Sequence, residues 1–410
     1  MTTSVPRTRS GAAPPGPRTG ARPRPSLLAP AAPLVGSRQP AGAGPRRTVA
    51  AVAEQRRRAG GPMAATGAGA HDGQSGGGRE ALVRHVVPRT GTVVTGLGLG
   101  TAQLGNLGRV TTDEEAHGAV ARAWERGIRY LDTAPSYGLG LSERRLGALL
   151  AAYPREECTV STKVGRRLVP SRERAHLRDD EGFDVPADTR RAWDLTRDGI
   201  RRSIEESLER TGLDRIDVAY LHDPDDLGDE AVATALPALV ELRDEGVLGA
   251  VGAGMNQSAM LARFVRETDI DVVMLAGRYT LLEQGALADL LPLAVERSVA
   301  VVAAAPYNSG ILARPRPAPG AHHNYAPAAA ALIERAHAIA DVCERHGVTL
   351  PDAALAFPAA HPAVVSVVVG ARTAGQVDDA VDRFRTHVPA DVWSELREAG
   401  LLDPSAPTPA

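Results

Sequence analysis

The chain has 410 residues, 43% of them apolar, and a formal net charge of −2. That length admits one large or two ordinary domains, the apolar content supports a large core, and the near-neutral balance offers no chain-wide surface to a polyanion such as nucleic acid. Cys158 and Cys343 are too few and too far apart for a disulfide framework or a metal site, which points to a reducing, cytoplasmic setting, and no run of about 18 apolar residues is there to span a membrane.

The first 78 residues are rich in Pro, Gly, Ala and Arg, with only Glu54 and Asp72 as acids. They show no sustained apolar period and cannot bury enough surface to offset ordering entropy. The expectation is a disordered, functionally inert tail over residues 1–80, followed by one folded domain over 81–403. Arg46-Arg47 leads only into the short stretch Thr48 to Ala53, too short for the apolar core of an export signal, and Met63 offers a later start.

From residue 82 short β-branched runs alternate with longer amphipathic segments, the rhythm of βαβ units. Val83 to Val87 and Thr92 to Thr95 read as an entry hairpin. The run from Gly96 to Gly105 is the first strand region, where Gly98 and Gly100 suggest a close backbone approach. A helix follows, with Thr112 and Glu115 spaced as a capping box, and it stops at Gly127. Strand Ile128 to Leu131, helix Ser142 to Leu150 capped by Ser142, strand Cys158 to Thr162, a long connection, a helix closed by Gly212 and strand Asp217 to Leu221 come next.

The alternation continues with helix Ala231 to Glu245, strand Leu248 to Ala253, helix Ala259 to Glu267 and strand Val272 to Ala276. Helix Gln284 to Arg297, strand Ala300 to Ala304, helix Ala328 to His346, strand Val364 to Val369 and helix Gly375 to Phe384 complete the set. Eight strands, each followed by a helix, is the count that closes an α/β barrel of the (β/α)8 TIM type. An open doubly wound sheet would place a phosphate loop after its first strand, and Gly96-Leu97-Gly98-Leu99-Gly100 leads into no helix.

In such a barrel the C-terminal strand ends face one mouth, where catalytic groups sit. Asp132 ends strand two, Tyr137 follows in its loop, Lys163 ends strand three and His222 ends strand four. Lys163 is the only lysine in the chain; where every other basic residue is an arginine, it marks a site that needs a compact ammonium on a flexible stem. Lys163 beside Tyr137 would lower the phenol's proton affinity, Asp132 would hold the ammonium charged, and His222 would orient a carbonyl oxygen, a set suited to moving one proton on and off a substrate oxygen.

Leu131-Asp132-Thr133-Ala134-Pro135-Ser136-Tyr137-Gly138, Ser142-Glu143, Ser161-Thr162-Lys163 and Leu221-His222 together resemble the aldo-keto reductase superfamily over about residues 84–400. The resemblance implies Tyr137 as general acid/base, Lys163 and Asp132 as its tuning pair, His222 as the group orienting substrate, and NAD or NADP lying across the mouth, with no metal. Asp194 to Ile200, His222 to Asp225 and Ala305 to Leu312 are similar to the branch of D-threo-aldose 1-dehydrogenases and L-fucose or L-galactose dehydrogenases.

By the same resemblance Gly100, Thr101, Ala102, Asn256, Pro306, Ser309 and Leu312 would contact cofactor, and Gly370, Arg372 and Gln376 would form the adenosine-phosphate site. Arg372 is the only nearby cation for a 2′-phosphate, so NAD is at least as well provided for as NADP. The aromatic expected to stack on nicotinamide after strand seven is replaced by Ala304, with Tyr307 three residues on. The connection from Gly165 to Thr196 has the length of a lid, with Trp193 as an apolar wall for a sugar ring. The implied activity is oxidation of an aldose to a lactone, or reduction of a small aldehyde, by a cytoplasmic monomer or small homo-oligomer with a small-molecule substrate and no nucleic-acid or membrane partner. Two alternatives stand beside it: a Schiff-base aldolase with Lys163 as nucleophile, and a nucleotide-sensing subunit without catalysis.

Overall fold

The computed structural model describes residues 48–58, 81–318, 320–323 and 326–410. Leu97–Gly100, Tyr130–Asp132, Thr159–Val164, Val218–His222, Ala250–Met255, Val272–Ala276, Ala300–Ala304 and Val364–Gly370 pair in parallel in chain order, and the last pairs with the first. The result is the expected closed barrel of eight strands, numbered one to eight below.

Because strand side chains alternate between faces, each sequence run splits into an inner and an outer set. Tyr130, Val218, Tyr220, Ala250, Val272, Met274, Val302 and Val368 fill the barrel. Leu131, Val160, Val164, Ala219, Leu221, Val251, Val273, Val301 and Val367 face the helices. The same parity turns Asp132, Ser161, Lys163 and His222 inward at the C-terminal end. At the other end the antiparallel hairpin Arg84–Val86 with Val93–Thr95 adds Val87 and Val94 to the interior, plugging it.

Gly98 answers the expectation of a close approach, since a Cβ there would lie 2.8 Å from the Tyr130 ring. The helix Asp113–Glu125 carries the Thr112–Glu115 capping box, and Arg197–Thr211 ends at Gly212 with φ 67°. Other boundaries move. The second helix is Leu141–Leu150, entered from Gly140, so Ser142 is no cap; it is buried, and its Oγ donates to the Thr101 carbonyl at 2.7 Å.

The expected helix over 231–245 opens into a wide turn, Ala231–Ala235, before Leu236–Asp244; Pro237 has no N–H to continue a regular ladder. The helix expected from Gln284 begins only at Leu290, after a tight turn at Gly285–Leu287. Within the barrel domain the helices Leu350–Ala359 and Ala390–Glu398 escape the sequence pattern. The first is apolar almost all round and carries Pro351 and Pro358, so it has no polar face to give a period.

The tail expectation needs correction at one place. Val49–Arg58 is a helix, with Val49, Val52 and Ala53 buried at i, i+3 and i+4. The Val49 N–H donates to Glu205 Oε1 at 3.1 Å, and Gln55 Nε2 to Asp214 Oδ2 at 3.2 Å. A stripe this short cannot hold a helix in water, but it can against a preformed helix surface. Arg46-Arg47 and Met63 lie outside the described residues. At the other end packing continues past residue 403, with Ala406 buried.

Glu143, fully buried, links the third strand to the helix Arg197–Thr211: it accepts from Thr162 Oγ1 at 2.7 Å and from Arg210 Nε at 2.5 Å. Glu143→Ala removes one partner of a buried pair and should lower the unfolding free energy by about 3 kcal/mol, read as an earlier midpoint in urea.

Candidate functional site

Asp132 and Lys163 end neighbouring strands, and their side chains meet inside the mouth. Lys163 Nζ donates to Asp132 Oδ2 at 2.6 Å and to the Thr133 carbonyl at 3.1 Å, while Asp132 Oδ1 accepts from Ser161 Oγ at 2.7 Å. Both charged groups are buried. Burial alone would lower the ammonium's pKa; the Asp132 carboxylate and the Tyr137 phenol outweigh it and raise it above the ordinary range.

Tyr137 reaches the pair from the loop after strand two. Lys163 Nζ lies 4.7 Å from its ring centroid, and the His222 ring meets it edge-on at 5.8 Å. The loop is seated by backbone contact: Gly138 has φ 61°, and a Cβ on Gly105 would fall 2.6 Å from the Tyr137 carbonyl carbon. Only two glycines allow that approach. His222 is buried, with Nδ1 3.3 Å from Ser136 Oγ, which leaves Nε2 toward the mouth. Burial, with Lys163, Arg166 and Arg191 nearby, holds its pKa well below the ordinary value, so it is a neutral imidazole. All four sequence-derived residues therefore converge.

Their electrostatics depart from expectation in one respect. Lys163 does act to lower the Tyr137 pKa, but burial is the larger effect and pushes it up to about 12. The phenol is a proton donor at neutral pH. Removal of its proton needs more than the lysine.

Part of that burial comes from the long connection, which is ordered. Arg166–Pro170 pairs antiparallel with Thr189–Trp193, and between them Phe183 lies over Tyr137 with ring centroids 5.9 Å apart. Arg191 fixes the cover in place: it donates to the Ser136 carbonyl at 2.7 Å and to Asp179 Oδ1 at 2.5 Å. Gly108 N donates to the Gly182 carbonyl at 2.8 Å, tying the cover to the loop after strand one. Phe183, not Trp193, faces the phenol; Trp193 is 45% exposed beside Arg166.

The cofactor candidates divide by burial. Gly100, Ala102, Asn256, Ser309, Gly370 and Gln376 reach the surface of the rim, whereas Thr101, Pro306, Leu312 and Arg372 are buried. Thr101 Oγ1 donates to the Asp132 carbonyl at 2.8 Å and so braces strand two. Arg372 is no free cation. Its guanidinium donates to the carbonyls of Leu107 and Arg109 (2.5 and 2.9 Å) and to the Thr111 hydroxyl, holding the loop after strand one. Tyr307 packs, partly buried, on the core between barrel and helices. A cleft of about 770 Å³ opens at the opposite end beside Arg84, Thr90, Asp217 and Asp271, away from these groups.

Ser136, Ser161, Phe183, Arg191 and Asp223 were not singled out from sequence as site residues. The period-two parity with Lys163 could have found Ser161, and adjacency to His222 could have found Asp223. The other three depend on chain returning from far along the sequence.

A tyrosinate absorbance titration of the protein minus that of Tyr137→Phe should show the Tyr137 ionisation only near pH 12. In the background of Lys163→Met, which removes the cation that lowers it, the ionisation should move higher still.

The Aldo/keto reductase family model matches residues 96–400. The chain is 49% identical over 323 residues to a D-threo-aldose 1-dehydrogenase of a Pseudomonas species, covering 78% of this chain and 97% of that protein. It is 37% identical over 345 residues to a pyridoxal 4-dehydrogenase of Microbacterium luteolum, covering 79% and 99%. Among solved structures an aldo-keto reductase of Bacillus halodurans superposes with a TM-score of 0.62 at 24% identity, covering 79% of this chain and 98% of that one, a likeness of fold. Barrel, converging side chains and a match over most of the chain give one conclusion: the protein is an oxidoreductase belonging to the aldo/keto reductase family.

Proposed function

We propose that the chain oxidises the anomeric hydroxyl of an aldose with NAD, releasing a lactone, and that in reverse it reduces a small aldehyde. The observation that carries the reading is the Tyr137 phenol set between a buried ammonium and a neutral imidazole, at 4.7 Å and 5.8 Å by ring centroid, under an apolar cover. The relative named D-threo-aldose 1-dehydrogenase, at 49% identity, supports the substrate class.

The rim fits a dinucleotide. The 12-residue helix Ala374–Arg385 turns its N-terminus to the exposed end of strand eight at Gly370, and Gly375 has open space beside it, a setting that favours a phosphate. Asn256 and Ser309 are exposed on the same rim. When bound there, the nicotinamide supplies the hydride acceptor or donor. Arg372 is engaged with the 107–111 loop and Arg109 with Glu115 at 2.7 Å, which favours NAD over NADP, whose extra phosphate asks for a free cation.

His222 Nε2 would hold the reacting oxygen, with Ser136 fixing the ring through Nδ1. In reduction the Tyr137 phenol would give its proton to the carbonyl oxygen, leaving a phenolate that Lys163 would stabilise until solvent reprotonates it; in oxidation the phenol would first lose its proton to solvent, and the phenolate beside Lys163 would take the hydroxyl proton. The Phe183 cover would keep water from the reacting atoms. The alternative of Lys163 as a Schiff-base nucleophile asks for a neutral amine, and the contacts to Asp132 and Thr133 O oppose one.

Tyr137→Phe should reduce turnover at least about a hundredfold, with NADH binding by fluorescence within twofold of the parent. Aldoses of both configurations, pyridoxal and simple aldehydes, each read at the reduced-nicotinamide absorbance with NAD and NADP, test the rest. Faster turnover of an aldose with NAD is expected, and no turnover of any aldose would refute the substrate class.

A further inference from the structure

Asp223, next to His222, has no part in the scheme above, yet its position is unusual. It follows the end of strand four in left-handed backbone, φ 44°, and its N–H donates to the Gly254 carbonyl on strand five at 3.0 Å. Asp tolerates that region better than most residues, but it is uncommon backbone, of a kind that gathers at functional sites. The turn directs the carboxylate back over the mouth, where Oδ2 stands 3.6 Å from His222 Nε2.

That separation exceeds a hydrogen bond. Among the described residues the Asp223 carboxylate accepts no hydrogen bond, whereas its neighbour Asp225 is engaged by Gln257 Nε2. Its side chain is 42% exposed. Burial and the Asp225 charge, opposed by Arg166 and Lys163, push its pKa up to about 6, so it remains an anion at neutral pH in surroundings that do not fully solvate it. An acceptor-only group with open lone pairs thus stands beside the one imidazole nitrogen left for the reacting oxygen.

A sugar carries its next hydroxyl about 3 Å from the reacting oxygen, so two adjacent sugar oxygens can each meet one of Nε2 and Oδ2, which stand 3.6 Å apart. We infer that Asp223 is a specificity-determining residue: its carboxylate accepts a hydrogen bond from the hydroxyl on the carbon next to the reacting one, so that the site selects polyhydroxylated substrates over plain aldehydes. The inference rests on the proposed aldose reaction and deepens it. A site built around an acceptor rejects an analogue lacking the matching hydroxyl, because the acceptor is then left without its partner.

The test uses the full-length enzyme, Asp223→Gly and Asp223→Asn, an aldose that the parent oxidises, its 2-deoxy counterpart, and NAD. Glycine adopts φ 44° freely and removes the carboxylate; asparagine keeps the backbone and one acceptor oxygen. The parent should prefer the aldose over the 2-deoxy sugar. Asp223→Gly should erase at least about tenfold of that preference in kcat/KM, chiefly through loss on the hydroxylated sugar, with Asp223→Asn intermediate. NADH fluorescence titration should give dissociation constants within twofold for all three proteins, which also reports that the variants are folded.

An equal loss on both sugars would overturn the inference and make Asp223 a neighbour that acts through His222. Weakened NADH binding matching the loss in turnover would overturn it too, assigning the residue to cofactor. If the parent turns over neither sugar, the aldose reading itself is wrong and this inference goes with it; a parent active on the aldose with an unchanged preference in Asp223→Gly refutes the Asp223 role alone.

Discussion

The buried ion pair between Asp132 and Lys163 is the constraint around which the C-terminal half of the barrel is built. Two charges withdrawn from water are costly unless each finds good geometry and further hydrogen bonds. Here the ammonium has a second acceptor in the Thr133 carbonyl, and the carboxylate has a second donor in Ser161. The support runs deeper. Ser161 Oγ lies 3.1 Å from the Tyr130 hydroxyl, which lies 3.0 Å from that of Tyr220. A carboxylate only accepts, so the one Ser161 proton points to Asp132. The Tyr130 and Tyr220 hydroxyls thus line up behind the Ser161–Asp132 contact as a buried polar chain. Burial keeps both phenols far above their usual pKa, so they stay donors.

Above the pair the structure sets two influences on Tyr137 against each other. The ammonium lowers the phenol's proton affinity, and desolvation raises it by more. The cover that causes much of that desolvation is assembled from three separate loops: Gly105 and Gly138 in backbone contact, Phe183 over the ring, and Arg191 reaching the Ser136 carbonyl. A low-dielectric site strengthens each interaction at the reacting oxygen as well as excluding water. The same groups that make the phenol a poor acid in the free protein therefore strengthen the field it works in.

The division between one lysine and many arginines acquires a physical meaning. Arg372, Arg145 and Arg191 each donate to backbone carbonyls in loops at the mouth, using the several donors of a planar fork as ties. Such a fork would not fit between the Asp132 carboxylate and the Tyr137 ring, where a single Nζ reaches both. A guanidinium in that role is a structural tie, and its use in this way by Arg372 removes the cation that the sequence offered to a phosphate.

The sequence by itself determined the barrel, because eight apolar runs separated by amphipathic segments close in only one common way, and period-two parity then places Asp132, Lys163 and His222 on one face. It also determined the helix ends with local chemistry, such as the Thr112 capping box and Gly212. Where the deciding contact is local in sequence, composition and spacing carry it. Tertiary structure alone decided that Val49–Arg58 is helical against a distant helix, that the all-apolar Leu350–Ala359 is a helix, and that Phe183 and not Trp193 covers Tyr137. It also decided whether a polar side chain is free or engaged. Arg372 and Thr101 read as ligand contacts on their own, and Asp223 as a loop residue; only the tertiary contacts show that the first two brace neighbouring backbone and that, among the described residues, the third accepts no hydrogen bond, because the availability of a hydrogen-bonding group depends on every element that folds against it.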